Sequence, residues 1–146
     1  MSFFDAVRTQ ERGELVIVAP GTGSRLVITF AGPGHPQTVA YNDGQARERL
    51  HKEKAQEQAR VNGKKWKSDD ETVKDRLQKN VTYITARMLG WRFEDAAGNP
   101  DPAGGPEFSR EVADQLLAEP EMGALYTRCL EYLADDESFT KRSAKT

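Results

Sequence analysis

Cysteine occurs once in this 146-residue chain, at Cys129, which excludes an internal disulfide and makes a reducing compartment the easy fit. Histidine occurs twice, at His35 and His51, each far in sequence from that cysteine. No H-E-x-x-H, C-x-x-C, G-x-S-x-G or dinucleotide fingerprint occurs, so no catalytic, cofactor or metal residue is assigned and an enzyme is not expected. The pair Asp135-Asp136 sits in a polar terminal segment, where solvation explains it. No apolar run approaches the roughly 18–20 residues that a membrane span needs. The start, MSFFDAVRTQERGE, lacks the basic opening and apolar stretch of a signal peptide, so the protein is expected to stay in the cytoplasm where it is made. Internal repeats and long heptad arrays are missing too, which removes solenoids and coiled coils.

What is present is a polar chain: 37% hydrophobic, 30% charged, with mean hydropathy -0.73 and net charge -2. Such a composition supports one domain with a modest core, some of whose surface is completed by a partner, and does not indicate a bulk nucleic-acid binder. The charge is unevenly placed. Residues 43–67 hold eight Lys/Arg against four Asp/Glu (+4), and residues 91–139 hold three Arg against twelve Asp/Glu (-9). Unless both are simply solvated faces, this asymmetry steers self-association or partner docking.

The strongest local signal runs from Ser68 to Trp91. Ser68 and Glu71 have capping-box spacing, and Asp69 and Asp70 add negative charge at the positive end of a helix dipole. Val73, Leu77, Val81, Ile84 and Met88 recur at spacings of four, four, three and four, one stripe down a helix of about five turns. Gly90 stands where a left-handed C-cap belongs, and Trp91 follows as a large anchor. The pattern predicts a core helix near 69–89.

Around it the chain reads in order. Residues 1–12 start as a short helix without a sustained stripe. Glu14–Val18 and Arg25–Phe30 are β-branched runs joined by APGTGS, a hairpin turn rather than a phosphate loop, since no Gly-Lys-Ser/Thr and no helix follow. The AGPGHPQ stretch reads as a rigid connection carrying a structural or exposed His35. Asp43 is placed as the cap of a charged helix over 44–61 that is surface-exposed, projecting or completed by assembly. In the loop after it, Trp66 among Lys64, Lys65 and Lys67 reads as a hydrophobic staple ahead of a base-stacking aromatic. The segment EDAAGNPDPAGGPE reads as a contact-poor surface loop whose deletion over 99–105 costs little. Ser109 caps a helix over 109–118, and Pro120 opens another over 120–134 with Cys129 as a small core residue. The fold class is α+β, mainly α: an N-terminal β-hairpin and a small helical domain of about four helices. Its stretches are 1–40 (hairpin region), 41–67 (charged helix and basic loop), 68–139 (helical core) and 140–146 (polar tail), in one domain.

Several segments taken together resemble a known family. Ala-Gly-Pro-x-His-Pro at 31–36 follows a strand, and the central helix leads to Leu89-Gly90-Trp91. A Gly/Pro loop then precedes Phe108-Ser109-x-Glu111, Leu116-Leu117 and Pro120. This order, over about 26–139, resembles the tail assembly chaperones of long-tailed, siphophage-like bacteriophages. The insertion NPDPAGGPE departs from it, because such proteins usually carry a shorter G-x-P turn. The resemblance implies a non-enzymatic factor that coats the tape-measure protein, helps tail-tube subunits polymerise, oligomerises, and is absent from the mature virion. It carries over no catalytic residue. The structural anchors are expected at Trp91, Phe93, Phe108, Leu77, Val81 and Ile84. A partner-binding surface is expected at Arg47, Arg49, Lys52, Lys64, Lys65 and Trp66. A head–tail joining or tail-completion protein and a nucleic-acid-binding regulator are the alternatives.

Overall fold

The computed structural model describes residues 3–63 and 72–140. Among them the fold is α+β and mainly α. In chain order come α1 (Phe3–Val7), β1 (Arg12–Val18), β2 (Arg25–Ala31), α2 (Pro36–Val61), α3 (Val73–Arg87), β3 (Met88–Glu94), α4 (Arg110–Ala118) and α5 (Gly123–Ala134). Short 3-10 turns at Pro120–Met122 and Asp136–Phe139 precede and follow α5. The strands form one antiparallel sheet in the order β1-β2-β3, so the expected hairpin is present and acquires a third strand from beyond α3.

That third strand corrects the reading of 88–91 as a helix end. The helix stops at Arg87, and Gly90 is extended strand opposite Thr29 instead of a left-handed cap; the positive-φ glycines are Gly21, Gly23, Gly63 and Gly98. The physical reason lies in β2, whose second edge would otherwise leave backbone donors and acceptors unpaired in the interior. From Leu26↔Phe93 and Ile28↔Trp91 the register passes to Phe30↔Met88, so one extra residue, Leu89, bulges from β3. Trp91 and Phe93 thereby face the helices, while Arg92 faces away and reaches Glu14 at 2.9 Å and Glu94 at 3.1 Å.

The helix starts also differ. Helix α3 is capped by Thr72, whose hydroxyl accepts from the Asp75 amide while the Asp75 carboxylate accepts from the Thr72 amide. The box thus lies four residues beyond the expected one, and Ser68–Glu71 fall outside the described residues. Val73, in the first turn, is 90% exposed; the stripe meets the core only from Leu77, half-buried, to Val81, Ile84 and Met88, all buried. Helix α2 begins at Pro36, not after Asp43. His35 caps it through Nδ1, which accepts from the Gln37 amide at 3.0 Å, and proline suits the first turn because its missing N–H needs no partner there.

One core joins these elements. Leu15, Ile28, Phe30 and Met88 on the inner sheet face meet Val81 and Ile84 of α3, Ala113 and Leu117 of α4, Cys129 and Leu133 of α5, and Phe139. Arg87 ties sheet to helix at 5% exposure, its Nε and Nη2 donating to the Ala31 carbonyl at 3.1 and 2.9 Å and its Nη1 to the Tyr83 hydroxyl at 2.8 Å. The rings of Tyr83 and Phe139 face that guanidinium at 5.7 and 5.2 Å, so it is held by carbonyl, hydroxyl and π density. Helix α2, in contrast, contributes one buried residue, Thr38, in 26 residues, or about 39 Å of helix at ~1.5 Å per residue. Most of its length is surface.

Candidate functional site

An apolar recess of about 200 Å³ lies between the inner sheet face and helices α4 and α5. Strand pairing supplies its back wall, because Leu26 lies opposite Phe93 and Ile28 opposite Trp91. Helix α4 supplies Ala113, Leu116 and Leu117, at spacings of three and one, so all three fall on one helical face. Its start is fixed by Ser109, whose Oγ accepts from the Val112 amide at 3.1 Å. Leu125 and Cys129 of α5, one turn apart, complete the floor, with Met122 at the edge.

The loop expected to be contact-poor walls one side of the recess. Asp101 donates its amide to the Phe93 carbonyl at 2.9 Å, Asp95 to that of Asn99 at 2.9 Å, and Pro100 bridges to Glu94. The Trp91 indole N–H donates to the Pro106 carbonyl at 2.9 Å. Gly104 and Gly105 lie flat on Phe93, so close that a Cβ on Gly104 would stand 2.7 Å from the Phe93 Cβ. Only glycine leaves room for this approach. Proline and glycine density therefore marks a fitted lid in 99–106.

The lining is mostly hydrocarbon and sulfur, with that bonded indole and the backbone of Gly104 and Gly105 as polar parts. Burial pushes the Cys129 thiol up to about 12, so at neutral pH it is a neutral packing group and not a nucleophile. The recess can desolvate an apolar group.

Two further concavities are polar. On the sheet's outer side, a cleft of about 890 Å³ has Arg12, Arg25, Arg92 and Arg128 around Glu14 and Glu94. The Tyr132 hydroxyl at its end is pushed up to about 12 by burial and then by the Glu14 carboxylate. Between α2 and α3, a groove of about 350 Å³ is lined by Tyr41, Gln45, Glu48, Arg49, Lys52, Gln78, Lys79 and Thr82. Glu48 and Lys52 are 3.9 Å apart, an exposed pair of small energetic weight.

Of the expected anchors, Trp91, Phe93 and Phe108 come together: Trp91 meets Phe108 edge-on at 5.2 Å and Phe93 at 6.4 Å. Val81 and Ile84 are buried beneath the sheet and Leu77 borders that cluster. Of the expected partner-binding set, Arg49 and Lys52 share the α2–α3 groove, and Arg47 is exposed on α2 outside the groove's lining. Lys64, Lys65 and Trp66 lie outside the described residues. The recess itself was missed, as was Arg87. Residues 26 to 129 contribute to that recess, and no local periodicity announces such a meeting, although the Trp91/Phe93 alternation was a visible cue.

Among the described residues, no cluster of His, Cys, Asp and Glu could hold a metal ion, and no helix is long and apolar enough to cross a membrane. No protein family matches the chain, and neither a curated protein nor a solved structure matches it.

Proposed function

We propose that the chain is a non-enzymatic assembly factor: a bacteriophage tail assembly chaperone that binds and solubilises the tape-measure protein and promotes tail-tube assembly. The recess is the observation that carries this reading. Its lining can hold an apolar group, and it offers no ionised acid, base or nucleophile to act on one. A tape-measure chain is long and helical, with apolar stripes that aggregate before the tube encloses them. Many modest contacts suit such a client, because arriving tail-tube subunits must displace them. Helix α2 supports the same reading through its long, charged and almost wholly exposed surface.

The residues behind the resemblance are joints of this fold. His35-Pro36 starts α2, Gly90-Trp91 lies in β3, and Phe108-Ser109 starts α4. They shape the scaffold and leave the client surface to the recess and α2. On this reading the protein works in the host bacterial cytoplasm, forms homo-oligomers through its oppositely charged halves, and leaves before the virion matures.

Co-expression tests it. The tape-measure protein should move from pellet to supernatant with several copies of this chain bound, and purified particles should lack the chain. An insoluble tape-measure protein, with this chain stoichiometric in virions, refutes the chaperone function in favour of a head–tail joining or tail-completion component.

A further inference from the structure

We propose that the recess is a receptor for one large apolar side chain, of leucine to phenylalanine size, presented by a partner helix whose flanking residues are basic. This rests on the chaperone reading and specifies the chemistry of its client.

Size is the first argument. A cavity of ~150 Å³ lined by Leu, Ile and Phe stays dry and takes up benzene, and the recess offers about 200 Å³ with an equally apolar lining. Among the described residues no buried side-chain nitrogen or oxygen lacks a hydrogen-bond partner, so nothing in the floor asks for a polar ligand. Access is the second argument. Ile28, Met88, Ala113, Leu117 and Cys129 at the floor are buried, whereas Gly104, Pro106, Leu116 and Met122 at the mouth are at least partly exposed. A side chain on a protruding helix can enter between them without unfolding the sheet.

Charge at the mouth selects the carrier. The segments that flank it bear the exposed Glu107, Glu119 and Glu121 against Arg110, within a stretch of net charge -9. Exposed glutamates next in sequence to lining residues Pro106 and Met122, in a net acidic segment, favour an apolar side chain flanked by lysine or arginine and disfavour one flanked by carboxylates.

The protein carries its own reporters, since Met88 and Met122 both line the recess. Methyl-labelled methionine is followed by NMR during titration with three helical peptides. One is a Lys/Ala peptide with a central phenylalanine, the second has alanine in its place, and the third replaces every lysine by glutamate. The phenylalanine–lysine peptide should shift both methyl signals saturably, with the alanine and glutamate versions at least tenfold weaker. Leu116→Trp, which fills the mouth from a half-buried position, should abolish the shift while its far-UV circular dichroism stays unchanged. If that variant fails to fold, Met122→Trp serves the same purpose from the rim.

Equal binding of the phenylalanine and alanine peptides overturns the proposal. So does a response to benzene with no response to any peptide, which would make the recess a small-molecule site. A mouth-filled, folded variant that still solubilises the tape-measure protein overturns the link between recess and client. Saturable phenylalanine binding with an insoluble tape-measure protein upholds the receptor and refutes the chaperone reading instead.

Discussion

Trp91→Ala should destabilise the protein by about 3 kcal/mol, less than the upper end of the 3–5 kcal/mol typical of a fully enclosed tryptophan. Three contributions can be counted. The ring is half-buried against Ile28 and the recess, so its lost hydrocarbon burial is worth roughly 1–2 kcal/mol. Its edge-on contacts with Phe108 at 5.2 Å and Phe93 at 6.4 Å add about 1 kcal/mol together. Its N–H holds the Pro106 carbonyl at 2.9 Å, worth about 0.5–1 kcal/mol because water can replace it at this exposed site. Urea titration of wild type, Trp91→Ala and Trp91→Phe separates these contributions, since phenylalanine keeps most of the ring but lacks the N–H. We expect Trp91→Phe to lose about 1 kcal/mol. At ~2–4 °C per kcal/mol for a chain of this size, Trp91→Ala should melt about 6–12 °C lower. A loss below about 1 kcal/mol for alanine, or equal losses for alanine and phenylalanine, would refute the reasoning about lid and anchor.

Gly105→Ala should destabilise by roughly 1–3 kcal/mol, because the new methyl collides with the Phe93 ring, whereas Gly34→Ala, which has open space, should not; thermal melts distinguish them. Thr72→Ala should cost about 1 kcal/mol by removing half of the capping box. The hydrogen bonds from Thr72 hold the Asp75 carboxyl below its usual value, so its contribution is present above the unfolded value and is lost as pH falls through the lower, folded one; helix content of α3 at acid pH reads this. At the alkaline end the sign reverses. Burial pushes the Cys129 thiol up to about 12 from an ordinary 9.0, so its contribution to stability is complete below about pH 9 and is lost as pH rises toward 12, and Cys129→Ala should flatten that limb of the urea-midpoint profile.

Local signals in the sequence were legible where one segment decides its own fate. The β-branched runs of the hairpin, the Ser109 cap and the helix that holds Cys129 in the core all appear in the structure. Strand β3 was illegible because the bulge at Leu89 breaks the alternation of MLGWRFE, and a glycine after a strong helix looks like a terminator until a partner strand claims it. The start of α2 was hidden by histidine, an unusual cap, and by a Gly-Pro setting that suggests irregular chain. Arg87 gave no warning either, since its partners Ala31 and Phe139 are distant in sequence. The recess depends on all these tertiary choices at once, so only its aromatic wall could be anticipated.

The sheet order β1-β2-β3 also sets a timetable for the nascent chain. Strand β2 is complete at Ala31, but its second neighbour begins at Met88, after roughly 55 residues given to α2, α3 and their connection. At ~5–20 residues per second, on the order of 3–11 s of synthesis separate the hairpin from its closing strand. Throughout that interval Leu15, Ile28 and Phe30 have neither β3 nor α5, the elements that cover them in the fold. A ribosome that pauses within α2 would delay both the closing strand and the covering helices, and one that pauses after Glu94 would delay only α4 and α5. Codon usage across α2 is thus a lever on how much of the protein reaches its fold before it meets another apolar surface.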